Sequence, residues 1–297
     1  MKKTTQENPI DKYPIPPFKK QDQPVPGVTS KMDPKPDHGE YSYIGHASLK
    51  DKICIITGGD SGIGKAVAIS MARESANIVI AYKDKVEDQD AQDTLSWIKK
   101  AGREGLLIQG DIRDEKHCRK IIDMTVSKFG KIDVLVNNAA YQMTYRSISD
   151  IDTEEWDKTF QTNIRAMFYL IKYAKEYMSP GSSIINTTSI NAYEPNPSLL
   201  PYAASKGAIQ NFTASLAEMF MNDKSGIRVN AVAPGPIWTP LIPSTIPDHE
   251  NFGKQNSPIG RPGQPAEIAP IYVFLASQQA SYISGATIPA TGGRITI

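Results

Sequence analysis

The chain has 297 residues, with 33 Lys and Arg against 32 Asp and Glu, so its formal net charge is +1. This length accommodates one large α/β domain with an appendage, or two small domains. The balanced charge gives neither a basic surface for nucleic acid nor an acidic tail, and we expect no nucleic-acid partner. A hydrophobic fraction of 40% with 22% charged residues is typical of a soluble globular protein.

The sequence has no features typical of membrane or secreted proteins. Apolar runs such as 53–56 and 78–81 have strand length, far below the ~20 residues of a membrane helix. No apolar segment follows the basic first residues, so we expect no secretory signal. Cys54 and Cys118 make no disulfide framework, and we expect two reduced thiols in a cytoplasmic protein. The four histidines show no ligand spacing, so we expect no metal site.

Residues 1–46 are predicted to form a proline-rich arm. Eight of the 22 prolines lie in this segment, and proline excludes both a helix and a central strand. We expect the arm to be disordered in its first part and docked over residues 30–46, either on its own subunit or on a neighbouring one. Residues 47–297 are predicted to form a single domain.

From residue 49 on, apolar runs of strand length alternate with longer amphipathic stretches. Continuous β-branched runs separated by helical periodicity indicate a parallel sheet covered on both faces. The predicted strands are 52–57, 77–82, 105–109, 132–136, 182–188, 227–232 and 286–290, and the predicted helices are 62–75, 87–101, 114–129, 153–178, 202–221 and 265–276. This α/β order predicts one doubly wound Rossmann domain, a mostly parallel seven-stranded sheet that binds ligands at the carboxyl ends of its strands.

A glycine-rich turn, TGGDSGIG at 57–64, joins the first predicted strand to the first predicted helix. Gly58 permits the tight turn, Gly62 lets the backbone approach a diphosphate, and Gly64 lets helix and strand pack closely. The helix N-terminus adds free N–H groups and the positive end of its dipole. We therefore predict a dinucleotide site whose contacts include Gly58, Asp60, Ser61, Gly62, Ile63 and Gly64.

The end of the second predicted strand bears on which dinucleotide binds. An acidic residue there would bind the ribose hydroxyls and repel a 2′-phosphate. Tyr82 occupies that position and Lys83 follows it, which slightly favours NADP over NAD. Two alternatives stay open: Lys83 is a solvated surface lysine, or Asp84 turns inward and binds the ribose.

Asp111 and its neighbour Ile112 follow the third predicted strand. That position places Asp111 beside the adenine ring, and both residues are predicted cofactor contacts. As an alternative, Asp111 caps the helix 114–129, although Asp114 suits that role better.

Tyr202 and Lys206 lie one turn apart at the start of a predicted helix, so both side chains share one face. A free phenol has a pKa near 10 and is a poor base at neutral pH. Lowering that pKa by ~3 requires about 4 kcal/mol. A positive charge at roughly 4.5 Å supplies ~3.7 kcal/mol at an effective dielectric constant of about 20. The pair therefore predicts that Lys206 lowers the pKa of Tyr202, which transfers the proton.

Ser189 follows the predicted strand 182–188 and precedes Tyr202 by 13 residues. A hydroxyl at this edge of the sheet can polarise a substrate carbonyl while Tyr202 delivers or removes the proton. Alternatively, Ser189 only caps a turn. We expect Asn191 and Trp238 to line the substrate site as well, because Trp238 begins a Pro- and Ile-rich segment placed like a lid.

Together these residues resemble the short-chain dehydrogenase/reductase family, in its compact single-domain branch. The resemblance covers about residues 49–293. It depends on the glycine spacing, on NNAA at 137–140, on Asn163, on the Ser–Tyr–Lys set and on PGPIWT at 234–239. Residues 37–43 and the glycine turn also resemble a subgroup of N-terminally extended bacterial proteins, the general-stress and aldehyde reductases.

The resemblance implies reversible hydride transfer between the nicotinamide of NAD(P) and a carbonyl or alcohol carbon. It implies that Tyr202 is the general acid/base, that Lys206 also binds the nicotinamide ribose, and that Asn163 holds a water in a proton relay. It further implies a homotetramer. Additional cofactor contacts implied by the family are Asn138, Ala139, Pro234, Gly235, Ile237 and Thr239.

Two other functions remain open at this point. A catalytically silent NAD(P)-sensing protein would keep the glycine turn, and measurable turnover would distinguish it from an enzyme. A sugar-nucleotide epimerase of the extended branch also uses Tyr and Lys, but it normally has a different glycine spacing and a larger C-terminal substrate region. For an oxidoreductase, we expect a small aldehyde, ketone or sugar-type substrate.

Overall fold

The computed structural model describes residues 6–255 and 257–294. Seven strands form one sheet in the order β3-β2-β1-β4-β5-β6-β7, and every neighbouring pair is parallel. The strands are β1 Ile53–Thr57, β2 Asn77–Tyr82, β3 Gly105–Gln109, β4 Val134–Asn137, β5 Ser183–Thr187, β6 Arg228–Pro234 and β7 Thr287–Ala290. The doubly wound α/β fold predicted from the sequence is thus confirmed.

Eight α-helices accompany the sheet within the described residues: α1 Gly62–Arg73, α2 Asp88–Lys100, α3 Glu115–Phe129, α4 Thr153–Phe160, α5 Ala166–Ala174, α6 Leu200–Asn222, α7 Leu241–Thr245 and α8 Pro265–Ala276. The predicted helix 153–178 is interrupted by a π-helical turn, Gln161–Arg165, between α4 and α5. The sequence did not predict α7, because its five residues are too few to show a helical period. None of these helices is long and apolar enough to cross a membrane.

The sheet separates two hydrophobic cores, and β1 shows why its sequence is continuously apolar. Successive side chains of a strand point to opposite faces. Cys54 and Ile56 therefore join the core beneath α1, α2 and α8, whereas Ile55 joins the core beneath α3, α5 and α6. Every residue of β1 is buried, as expected for a central strand of a parallel sheet.

The arm lies against the rest of the subunit from its first described residues onward. Arg261 Nη2 donates a 2.6 Å hydrogen bond to the carbonyl of Pro9, and Phe18 N donates to the carbonyl of Glu250 at 2.8 Å. Farther along, Tyr43 OH donates to Glu74 Oε1 at 2.6 Å. The arm before residue 30 is therefore packed on the subunit, whereas we expected it to be disordered. The sequence did not indicate this, because its partners Arg261 and Glu250 lie more than 200 residues away.

The connection order fixes the position of the site. From β1 the chain proceeds to β2 and β3 on one side, and then returns to β4 on the other side of β1. The reversal opens a crevice at the carboxyl ends of β1 and β4, where doubly wound sheets bind ligands.

Candidate active site

A cavity of about 1030 Å³ lies at this crevice. Its lining includes Ser189, Tyr202 and Lys206 of the predicted catalytic set, and every predicted cofactor residue except Gly64. The predicted cofactor residues found there, besides Tyr202 and Lys206, are Gly58, Asp60, Ser61, Gly62, Ile63, Tyr82, Lys83, Asp111, Ile112, Asn138, Ala139, Pro234, Gly235, Ile237 and Thr239. The predicted substrate contact Asn191 also lies on the wall.

The glycine turn fits a dinucleotide phosphate. A Cβ atom on Gly64 would stand 1.9 Å from the carbonyl oxygen of Gly58, so the helix and the turn approach too closely for any side chain. Gly62 adopts a φ of +50° and lies against Thr239. Ser61, the N-cap of α1, makes no capping bond with its own side chain. The first N–H groups of this 12-residue helix can therefore bind an anionic ligand.

The residues predicted to select between NAD and NADP at the adenosine ribose lie on the wall of the same cavity. Tyr82 OH donates to Asp88 Oδ1 at 2.8 Å, and Lys83 lies on the wall. Asp84 accepts a hydrogen bond from Lys85 N at 2.8 Å, so its carboxylate caps a turn. Asp84 still borders the cavity.

Asp111 borders the same region and has a charged partner of its own. Arg113 Nε and Nη2 donate to Asp111 Oδ2 at 2.9 and 2.5 Å. These bonds hold the pKa of Asp111 below its usual range, against the effect of its partial burial. Asp114 accepts from Lys116 N and caps α3, so Asp111 is not the cap of that helix.

The structure adds a buried acidic group that sequence reasoning missed. Glu87 is 8% exposed and lies on the cavity wall with Asp60, which is 2% exposed. Burial raises the pKa of Asp60 to about 6. Burial, together with the negative charge of Asp60, raises the pKa of Glu87 to about 7. Asp84 and Glu87 have the spacing of a capping box, which was the available signal in the sequence.

Ser189, Tyr202 and Lys206 come from two elements that meet at the carboxyl edge of β5. Lys206 is 1% exposed, and its Nζ donates to the carbonyl of Thr187 at 2.7 Å. The same Nζ lies 5.3 Å from the centroid of the Tyr202 ring. Ser189 Oγ accepts from Asn191 N at 3.1 Å. Ser189 therefore does cap a turn, and its hydroxyl hydrogen can be donated either to Tyr202 or to a substrate.

The electrostatics of the pair differ from the prediction. Burial lowers the pKa of Lys206 from its ordinary value of 10.5 to about 7. Burial also raises the pKa of Tyr202, and the neighbouring Ser189 side chain acts in the opposite direction. The expected lowering by Lys206 is wrong for this structure, because the sequence argument left out the loss of water around both groups.

Asn163 lies in the π-helical turn and does not border the cavity. Its side chain is fully buried, accepts from Tyr141 N at 2.7 Å, and donates to Ser205 Oγ at 2.9 Å. It thereby ties the segment after β4 to the helix that carries Tyr202 and Lys206. The water relay predicted for Asn163 stays a prediction.

The prediction that Trp238 lines the substrate site is wrong. Its side chain is fully buried, its indole N–H donates to the carbonyl of Pro34 at 2.8 Å, and its ring lies 4.6 Å from that of Phe18. The docked arm therefore covers Trp238. The apolar part of the wall is formed instead by the residues that follow it, Leu241, Ile242 and Ile246.

Two further groups on the wall were not predicted. Val25 and Pro26 reach the cavity from the arm, and Arg294 reaches its rim, where its guanidinium pairs with the carboxylate of Glu194. Nothing in the local sequence around these residues indicates the contact, because each depends on long-range docking.

Comparison with known proteins decides the family. The family model described as "Enoyl-(Acyl carrier protein) reductase" matches residues 58–294. A solved short-chain dehydrogenase from Burkholderia cenocepacia, in complex with NADP, superposes with a TM-score of 0.77 at 29% identity, covering 83% of this chain and 98% of that one. The chain belongs to the short-chain dehydrogenase/reductase family.

Two curated relatives are similar to this short-chain dehydrogenase/reductase over about nine-tenths of its length. General stress protein 39 of Bacillus subtilis is 50% identical over 270 residues, which are 90% of this chain and 93% of the relative. NADPH-dependent aldehyde reductase 1, chloroplastic, of Arabidopsis thaliana is 44% identical over 277 residues, 91% of this chain and 95% of the relative. The resemblance to the general-stress subgroup is thus confirmed.

Proposed function

We propose that the chain is an NAD(P)-dependent carbonyl reductase that also catalyses the reverse oxidation of an alcohol. The observation that carries the proposal is that Ser189, Tyr202 and Lys206 face the same cavity as the phosphate-binding glycine turn. The nicotinamide, when bound, supplies or accepts the hydride. The protein's own groups orient the carbonyl and move the proton.

In the reducing direction, the Ser189 hydroxyl donates to the substrate carbonyl and Tyr202 OH delivers a proton to the oxygen. The raised pKa of Tyr202 keeps the phenol protonated at neutral pH, which suits a general acid. Lys206 holds the end of β5 through Thr187 and binds the nicotinamide ribose. Asn163 fixes the helix that carries both groups and holds the relay water.

NADP is the proposed preferred cofactor. Tyr82 stands where a carboxylate would repel a 2′-phosphate, and Lys83 lies on the same wall. The raised pKa values of Asp60 and Glu87 reduce the negative charge at this end near neutral pH. The Arabidopsis relative is named for NADPH and the Burkholderia structure contains NADP, which supports the same choice.

The proposed substrates are small aldehydes and ketones, including sugar-derived carbonyl compounds. The wall beyond Ser189 combines the apolar Leu241 and Ile242 with the polar Asn191 and Gln142. An uncharged molecule with an apolar part and one or more hydroxyls fits this mixture. The aldehyde reductase among the relatives supports this substrate class.

A homotetramer in the cytoplasm is proposed for the assembly and location of the enzyme. Trp156, Phe168 and Met219, on α4, α5 and α6, are between 37% and 57% exposed. Large apolar side chains exposed on the surface are typical of subunit contacts. The mass in solution, measured by light scattering after gel filtration, tests the tetramer directly.

The decisive experiment follows the loss of NADPH and NADH absorbance with a panel of short aldehydes, ketones and sugar-derived carbonyl compounds. We expect Tyr202→Phe to bind NADPH almost normally while turnover falls by orders of magnitude. Tyr177→Phe, which removes the hydroxyl of an exposed tyrosine in the 3-10 turn that follows α5, is the matched control. Unchanged turnover in Tyr202→Phe would refute the assignment, and cofactor binding without any turnover would favour a sensor.

A further inference from the structure

The arm makes contacts that the proposed chemistry does not use. Its residues 18–34, here called the strap, run along residues 238–252, here called the lid. Gln23 N donates to the carbonyl of Pro243 at 3.0 Å. Gln21 N donates to His249 Nε2 at 2.9 Å. Hydrogen bonds from the strap backbone therefore hold both α7 and the turn that follows it.

Apolar packing joins the same two segments. Phe18 and Met32 of the strap form a buried cluster with Trp238 and Ile242 of the lid. The indole N–H of Trp238 adds its hydrogen bond to Pro34. The lid is thus covered by the strap on its outer side, while Ile242 also borders the cavity on its inner side.

The strap continues from the lid to the other wall of the cofactor site. Thr29 N donates to Asp90 Oδ2, in α2, at 2.8 Å. Helix α2 in turn contacts the glycine turn, because Thr94 Oγ1 donates to the carbonyl of Asp60 at 2.9 Å. One stretch of the arm therefore spans from the lid to the helix that supports the phosphate-binding turn.

At Gly27 the strap and the lid approach too closely for a side chain. A Cβ atom on Gly27 would stand 2.4 Å from the carbonyl oxygen of Pro240. The preceding lid residue, Thr239, lies directly against Gly62 of the phosphate-binding turn. One residue therefore separates the lid position that the strap contacts from the lid position that contacts the phosphate-binding turn, and Pro26 itself borders the cavity.

We propose that residues 23–29 of the arm are a working part of the cofactor site: they hold the lid against the phosphate-binding turn and set the rate at which the nicotinamide cofactor leaves. This inference rests on the proposed function, since it requires that a nicotinamide dinucleotide occupies the cavity. A lid must move for an enclosed ligand to leave, and here the strap is hydrogen-bonded to the lid at Pro243, His249 and Trp238.

Gly27→Ala tests the proposal, and Gly130→Ala is its matched control. Both glycines have a φ of +77°, so alanine carries the same backbone strain at both positions. A Cβ atom at Gly130, however, has nothing within 4 Å. Only Gly27→Ala therefore pushes the strap away from the lid.

The measurement is the dissociation rate of NADPH, followed by stopped-flow fluorescence when an excess of NADP⁺ displaces it. We expect Gly27→Ala to release NADPH about tenfold faster than the wild type, the order of magnitude for losing one or two hydrogen bonds. Gly130→Ala should release it at the wild-type rate. Unfolding temperatures of both cofactor-free variants show whether the strain is matched.

Each outcome decides the question. Unchanged release from a folded Gly27→Ala, or equal acceleration in Gly130→Ala, overturns the role of the strap and leaves the proposed function intact. Failure of the wild type to bind NADPH or NADH overturns both. If Gly27→Ala does not fold, Gln23→Ala carries the same test, because it removes the side-chain oxygen that accepts from Val28 N at 2.8 Å and so loosens residues 23–29. Faster release from that variant supports the strap, and unchanged release overturns it.

Discussion

Lys206→Met should stabilise the protein, and the gain should shrink as the pH rises. Burial lowers the pKa of Lys206 from 10.5 to about 7, so folding opposes its charged form. This destabilisation is complete below pH 7 and disappears as the pH approaches the unfolded value of about 10.5. One pKa unit corresponds to about 1.4 kcal/mol. Lys206 is still half protonated at pH 7, so the stability gap between Lys206→Met and the wild type should narrow by about 2 kcal/mol between pH 7 and pH 9.

The assay is denaturant unfolding of both proteins at several pH values between 6 and 10. Loss of the hydrogen bond to Thr187 changes the difference in free energy of unfolding by the same amount at every pH. Only the change of that difference with pH therefore reports the lowered pKa of Lys206. Lys50→Met, which removes an exposed lysine, controls for the change in charge number. A gap that stays constant from pH 7 to pH 9 would refute the claim that burial lowers the pKa of Lys206 in the folded protein.

Three further outcomes are expected. The affinity for NADPH relative to NADH should fall between pH 6 and pH 8 as Asp60 and Glu87 ionise, and Glu87→Gln should flatten that fall in a fluorescence titration. Asn163→Ala should lower the free energy of unfolding by about 1–3 kcal/mol, because it leaves buried partners at Tyr141 without hydrogen bonds. Burial raises the pKa of Cys118 to about 12, so a thiol reagent should label it only after denaturation; rapid labelling of the native protein would contradict its burial.

The fold was predictable because its signals are local. The apolar run at the start of β1 and the glycine turn after it identify a buried strand that feeds a helix. The same turn predicts the phosphate-binding site, because a Cβ at Gly64 meets the backbone of the turn itself. Tyr202 and Lys206 were predictable for a similar reason, since their spacing on one helix brings them to one face.

The long-range contacts were not predictable. Trp238 was expected in the substrate wall because its position after β6 is that of a lid, but its indole N–H bonds to Pro34, about 200 residues earlier in the chain. Val25 reaches the cavity for the same reason. Hydrophobic periodicity reports which side of an element is buried, and it carries no information about which distant segment covers that side.

The electrostatics of the cavity support the proposed functional site independently of any motif. Lys206 at one end and Asp60 and Glu87 at the other are all at most 8% exposed, and burial is the first cause of each pKa shift. A protein gains nothing in stability from such groups, because folding disfavours their charged forms. Strongly shifted groups of this kind cluster in sites that bind charged ligands or transfer protons. Both ends of one cavity carry them here, as expected where one end binds the dinucleotide and the other moves the proton.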